Sequence, residues 1–230
     1  MRYLIVGGSA GIGLATTRRL TDAGHDVVVW SRSSSDDLAA LGCEHHEVDV
    51  TGDLDGVEIP DELAGVGYFP GSINLAPFER IKLDAFRSDL EVNLLGAVKV
   101  LQKTVPQMAR AGGGSVVLVS TVAVAAGMAY HASVASAKAA VEGLMRSLAA
   151  EYAPKKVRVN AIAPSITDTR LAERLLSNDE KRARSAERHP LAQVGTPDDM
   201  AAAATYLLGP ESGWVTGQVM HVDGGLSALR

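Results

Sequence analysis

The chain reads as an α/β protein, a doubly wound parallel sheet in a single domain, and three observations carry that reading. Short apolar runs rich in β-branched residues alternate with segments of helical spacing along the full length. The first run, Tyr3 to Val6, stops at glycines spaced Gly7-x-x-x-Gly11-x-Gly13, with a helix-forming segment behind them. The length, 230 residues, is one that wound sheets reach around a single core.

In chain order, Tyr3–Val6 predicts the first strand and Leu14–Leu20 the first helix, with Gly24 as its C-terminal cap. Between them, Gly7 lets the chain turn, Gly11 removes a side chain where a pyrophosphate would approach, and Gly13 permits close helix-to-strand packing. Such a unit aims free N–H groups at an anion, so the turn predicts a dinucleotide site. Val27–Trp30 predicts the second strand. An acidic residue after it would suit a free ribose 2′-hydroxyl, but the chain has Ser31-Arg32-Ser33-Ser34 there, and a guanidinium beside hydroxyls suits a 2′-phosphate. NADP(H) is therefore expected rather than NAD, with Arg32 on the phosphate.

Glu44–Val48 predicts the third strand. The stretch from Gly52 to Gly65 is too short and too rich in Gly and Pro for a full crossover helix, so a loop or single turn should lead to a strand at Val66–Phe69, with one sheet face thinly covered. Leu83 to about Met108 carries apolar residues at helical spacing, among them Phe86, Leu90, Val92, Leu94, Leu95 and Val98, and predicts one long helix. Asn93 in its middle is mildly unfavourable there and wants a reason. Gly112–Gly114 resets the chain for a strand at Ser115–Ser120; a second long helix runs from Ser133 to Tyr152 and ends at Pro154. Val157–Ile162 predicts the sixth strand and Gln218–Val222 the last. The charged stretch from Thr167 to His189 is expected to form one or two mobile helices over a site. Thr196-Pro197 is an N-cap with proline at the first helical position, opening a helix through Leu208.

Composition narrows the function classes. A net charge of −5 without a basic run argues against nucleic acid as a partner. No apolar stretch is long enough to span a membrane, and the chain starts in a core strand without a basic leader, so a soluble cytoplasmic protein is expected. The single Cys43 cannot form an internal disulfide, which fits a reducing compartment. No metal is expected: His45 and His46 are neighbours in a strand and face opposite sides, and no Cys/His cluster has ligand spacing.

Several blocks together resemble the short-chain dehydrogenase/reductase family, from residue 3 to about residue 226. Val6-Gly7-Gly8-Ser9-Ala10-Gly11-Ile12-Gly13 is similar to that family's glycine loop, with Val6 where threonine is usual. Asp49-Val50, Val92-Asn93-Leu94, Lys138–Leu144, Val157–Pro164 and Thr216–Gly225 are similar to its later blocks. The resemblance implies a nicotinamide cofactor held by Gly7, Ser9, Gly11, Ile12 and Gly13, with Asp49 and Val50 at the adenine. It places Gly71 at the cofactor, Lys138 on the nicotinamide ribose, and Thr167 and Thr169 near the carboxamide or pyrophosphate. It also implies a small carbonyl or alcohol substrate, a proton relay through Asn93 and Lys138, and a homodimer or homotetramer.

The departures bear on activity. Where the family has Asn-Asn-Ala-Gly, this chain has Tyr68-Phe69-Pro70-Gly71, and Ser165 follows Pro164 in place of glycine. Four residues before Lys138, where the family places its acid–base tyrosine, stands Val134. The serine expected thirteen residues earlier is Thr121, beside Ser120. Valine has no proton to give, and a positioned donor contributes about 10²- to 10⁴-fold in rate. His131 is the candidate substitute, because a histidine side chain can both donate and accept a proton. Two further readings stay open: an NADP(H)-binding protein without redox turnover, and a lyase or isomerase on the same fold.

Overall fold

The computed structural model describes residues 1–229 and contains one seven-stranded sheet whose paired strands all run parallel. The strands are β1 (Arg2–Val6), β2 (Asp26–Ser31), β3 (Glu44–Glu47), β4 (Leu63–Tyr68), β5 (Gly114–Val119), β6 (Val157–Pro164) and β7 (Val219–Val222). Their order across the sheet is β3-β2-β1-β4-β5-β6-β7. The winding therefore reverses between β1 and β4, which opens a crevice at their C-terminal ends, where this class of sheet binds ligands.

Period-two alternation sends successive strand residues to opposite faces, and both faces are buried. Tyr3, Ile5, Val27 and Val29 pack with Leu20 of α1 (Gly11–Asp22) and with Met200, Ala204 and Leu207 of α8 (Pro197–Leu208). Leu4, Val6, Val28 and Trp30 face α4 (Gly96–Arg110) and α6 (Ala132–Tyr152), meeting Val100, Val105 and Met145. The predicted cap of α8 forms in full: Thr196 Oγ1 accepts from the Asp199 N–H at 3.2 Å, and the Asp199 carboxylate accepts from the Thr196 N–H at 2.8 Å. Among the described residues no helix is long and apolar enough to cross a membrane.

Two expectations are corrected. Residues 48–62 form a loop without a helix, as anticipated, but the sheet face beneath is not thinly covered: Val48, Val50 and Leu54 are buried there, with Val57 and Ile59 packed against them. Apolar spacing in a loop has no period, so its covering role is invisible to pattern reading. The predicted single helix from Leu83 to Met108 is also interrupted. It consists of α3 (Leu83–Leu90), a π turn at Glu91–Leu95, and α4. The widened turn changes which side chains face inward. Leu90 and Leu95, counted in the buried stripe, are exposed, whereas Asp89 and Asn93 are buried. Two short helices, α2 (Asp36–Ala39) and α5 (Val122–Ala126), lacked any periodic signal.

Candidate active site

The glycine loop lies in the crevice, just past β1. Gly7 and Gly11 adopt φ of +78° and +54°, in the left-handed region that side chains disfavour. A Cβ on Gly13 would collide with the Gly7 carbonyl oxygen, and one on Gly11 would lie 3.3 Å from Thr169 Cγ2. The loop thus needs glycine on steric grounds, and Thr169 borders it. No side chain caps α1: Ala10 precedes it, and its first turn contains no acid. The N–H groups of that turn are free for an anion. Ser9 is tied in through its carbonyl, which accepts from Ser35 Oγ at 2.9 Å. Ile12 reaches the wall of the adjoining cavity.

Beyond β2, Arg32 is exposed and has no ion pair among the described residues. Asp49 folds back on its own chain, accepting from the Thr51 N–H at 2.9 Å and its hydroxyl at 2.7 Å, and these two bonds hold its carboxyl below the usual range. Val50 is buried beside it. A pyrophosphate fits the open helix terminus, and a 2′-phosphate fits the free guanidinium.

A cavity of about 900 Å³ adjoins the loop, walled largely by apolar side chains such as Phe69, Val122, Met128, Val134, Leu171 and Leu175. Lys138 lines it from α6, buried, with Nζ donating to the Val119 carbonyl at 2.8 Å. Burial pushes the Lys138 pKa down to about 8, with Asp89 opposing the shift. Gly71 holds the chain close over this lysine: a Cβ there would lie 3.2 Å from Asn93 Oδ1 and 3.7 Å from Lys138 Nζ. Thr121 faces the cavity and caps α5, accepting from the Ala123 N–H at 3.3 Å. The neighbouring Ser120 hydroxyl is instead committed to Glu142, at 2.7 Å.

His131 is the N-cap residue of α6, half-buried at the cavity wall, its Nδ1 2.7 Å from the Ala129 carbonyl. It lies outside the helix whose face it was expected to share with Val134 and Lys138. Val134 itself is buried and lines the cavity. The segment 167–189 does stand over the site, as a 3₁₀ helix (Arg170–Leu175) and α7 (Asp179–Ala186). An Arg182–Asp168 ion pair at 2.8 Å and a buried His189, within 2.8 Å of both Ser165 Oγ and the Ser185 carbonyl, fasten it. Thr167 is buried at the start of this segment, its hydroxyl donating to the Ser165 carbonyl at 3.0 Å. Among the described residues no cluster of three or more His, Cys, Asp or Glu side chains could hold a metal.

A buried polar network accompanies these residues. Asp89 is fully buried and accepts from Ser72 Oγ at 2.5 Å, Asn74 Nδ2 at 2.7 Å and Ser133 Oγ at 2.6 Å. Asn93 donates to Ser72 Oγ at 3.0 Å and to the Asp89 carbonyl at 2.8 Å, which gives the mid-helix asparagine its reason. Among the described residues its Oδ1 is buried without a hydrogen-bond partner. Tyr68, which replaces a polar family residue, donates to the Val92 carbonyl of the π turn at 2.6 Å. Gly96 has no side chain to obstruct that hydroxyl. Asp89 and Ser133 carried no motif; a charged residue within an amphipathic helix was the available signal for Asp89.

Comparison with known proteins agrees with this architecture. The sequence model of a family described as enoyl-(acyl carrier protein) reductase matches residues 7–227. The cis-4-hydroxycyclohexanecarboxylate dehydrogenase of Sinomonas cyclohexanicum is 33% identical, over 98% of this chain and 96% of its own. The short-chain reductase protein NovJ of Streptomyces niveus is also 33% identical, over 96% of this chain and 92% of its own. A Beutenbergia cavernae protein solved with bound NADP superimposes with a TM-score of 0.89 at 30% identity, covering 99% of this chain and 96% of that one. With the reversed sheet order, the glycine loop at its crevice and the cavity beside it, these matches establish that the chain belongs to the short-chain dehydrogenase/reductase family of oxidoreductases.

Proposed function

We propose that the protein is an NADP(H)-dependent oxidoreductase interconverting a small, largely apolar alcohol and its carbonyl compound. The observation that carries this reading is the convergence of Lys138, Thr121 and Gly71 on one apolar cavity adjoining the glycine loop, with Asn93 behind Gly71. Gly7, Ser9, Gly11, Ile12 and Gly13 would hold the dinucleotide's phosphates, Arg32 its 2′-phosphate, Asp49 and Val50 its adenine end, and Lys138, Gly71, Thr167 and Thr169 its nicotinamide end. Bound there, the cofactor supplies or accepts a hydride. Lys138, charged below about pH 8 in a low-dielectric site, would stabilise negative charge on a substrate oxygen. Thr121 offers that oxygen a hydroxyl, and the unpartnered Asn93 Oδ1 is suited to anchor a water in the same proton path. The apolar walls exclude bulk water and favour a substrate with little charge.

The NADP(H) assignment rests on Arg32 and is consistent with the NADP held by the Beutenbergia cavernae relative. A cytoplasmic homodimer or homotetramer fits the single cysteine and the small residues of α6. Val134 favours a second reading, an NADP(H)-binding protein that does not turn over, because the family's proton donor is missing from the cavity wall. The deciding experiment titrates NADPH and NADH by fluorescence, then screens alcohols and carbonyl compounds at the nicotinamide absorbance band. Turnover supports the oxidoreductase; tight NADPH binding without turnover across the panel supports the second reading.

A further inference from the structure

We propose that Ser72 is the catalytic hydroxyl of this site, exchanging a proton with the substrate oxygen, and that Asp89 takes the proton that Ser72 gives up. The proposal rests on the oxidoreductase reading and supplies what Val134 removes from it. Ser72 lines the cavity and directly follows Gly71, whose backbone lies against Lys138 and Asn93. Its hydrogen-bond pattern has one direction. Asn93 Nδ2 can only donate, so Ser72 Oγ accepts from it at 3.0 Å and directs its own hydrogen to Asp89 Oδ1 at 2.5 Å. One lone pair of the serine oxygen then remains for a group in the cavity.

A fully buried carboxyl needs partners, and Asp89 has hydrogen bonds from Ser72, Asn74 and Ser133, with the Lys138 charge near enough to be affected by it. Ser133, one of the donors to this carboxyl, directly precedes Val134, so α6 carries both the Asp89 contact and the position that lacks a hydroxyl. During alcohol oxidation the substrate O–H bond breaks and its proton bonds to Ser72 Oγ. The original Ser72 O–H bond breaks in turn, and that proton passes to Asp89 Oδ1. The electron pair that the broken O–H bond leaves on the substrate oxygen becomes the new carbonyl π bond, while the C–H pair departs with its hydrogen as hydride, for which an oxidised nicotinamide dinucleotide bound in the crevice would be the acceptor. Carbonyl reduction runs the same transfers backwards, and the Asp89 proton exchanges with solvent between turnovers.

The test compares wild type, Ser72→Ala, Ser72→Thr, Asp89→Asn and His131→Ala by three measurements: NADPH affinity by fluorescence, thermal melting, and kcat and KM on a substrate from the screen. Ser72→Ala should keep its NADPH affinity, melt somewhat lower because Asp89 and Asn93 each lose a partner, and lose about 10²- to 10⁴-fold in kcat. Ser72→Thr should recover most of that loss. Asp89→Asn, which can still accept from Ser72 but is a poor proton acceptor, should lower kcat with KM and NADPH affinity unchanged. Should Asp89→Asn fail to fold, the two Ser72 variants decide alone. Wild-type kcat in Ser72→Ala overturns the proposal and leaves the oxidoreductase reading standing, and loss of kcat in His131→Ala alone would move the donor to the cavity mouth. A wild-type protein that binds NADPH yet turns over nothing in the panel overturns the oxidoreductase reading and this proposal with it.

Discussion

Replacing Lys138 by methionine should make the protein more stable at neutral pH while removing its activity. The lysine is buried and its pKa lies at about 8, against 10.5 for an ordinary lysine. At about 1.4 kcal/mol per pH unit, holding the charge in place costs about 3 kcal/mol relative to water. Methionine preserves the packing but leaves the Val119 carbonyl without its 2.8 Å donor, a loss of about 1 kcal/mol. The net gain at pH 7 is then about 2 kcal/mol. The sign of the pH dependence follows from the lowered value. Below about pH 8 the lysine is protonated in both folded and unfolded chains, so the full penalty is present. Between about 8 and 10.5 only the unfolded chain keeps the proton, so wild-type stability rises relative to the variant's, and above that window the charge penalty is gone. Urea unfolding of both proteins at a series of pH values measures the difference directly. A Lys138→Met variant less stable than wild type at pH 7, with a gap that does not change between pH 8 and 10.5, would refute the reasoning.

Arg32→Ala should weaken NADPH binding by about ten- to a hundredfold, the equivalent of one charge-assisted contact, and leave NADH affinity unchanged; equal effects on both dinucleotides in a fluorescence titration would remove the phosphate assignment. Gly13→Ala should destabilise the fold by about 1–3 kcal/mol through its clash with the Gly7 carbonyl and should abolish dinucleotide binding, as read by melting with and without NADPH. Light scattering at micromolar concentration should return a dimer or tetramer mass; a mass near the 24.0 kDa of one chain would exclude the assembly.

The sequence alone determined the features that depend on neighbouring residues. Glycine spacing between a β-branched run and a helix has one economical solution, because a side chain at Gly13 would strike the Gly7 carbonyl. The Thr196-Pro197-Asp198-Asp199 cap likewise closes within four residues, and both formed where they were expected. All seven strands lie where the sequence placed them, with ends that moved by up to three residues. What escaped pattern reading depends on distance in the chain. The π turn inserts a residue that a period of 3.6 cannot register, and it decides that Asp89 and Asn93 face inward while Leu90 and Leu95 face out. Ser72, Asp89 and Ser133 come from a loop after β4, from α3 and from α6, with Asp89 lying 17 residues beyond Ser72 and 44 before Ser133. Nothing local distinguishes any of them from an ordinary polar side chain. Only the packing of α3 against α6 puts one carboxyl within reach of both hydroxyls, because a buried charge is tolerated solely where the tertiary fold supplies its hydrogen bonds.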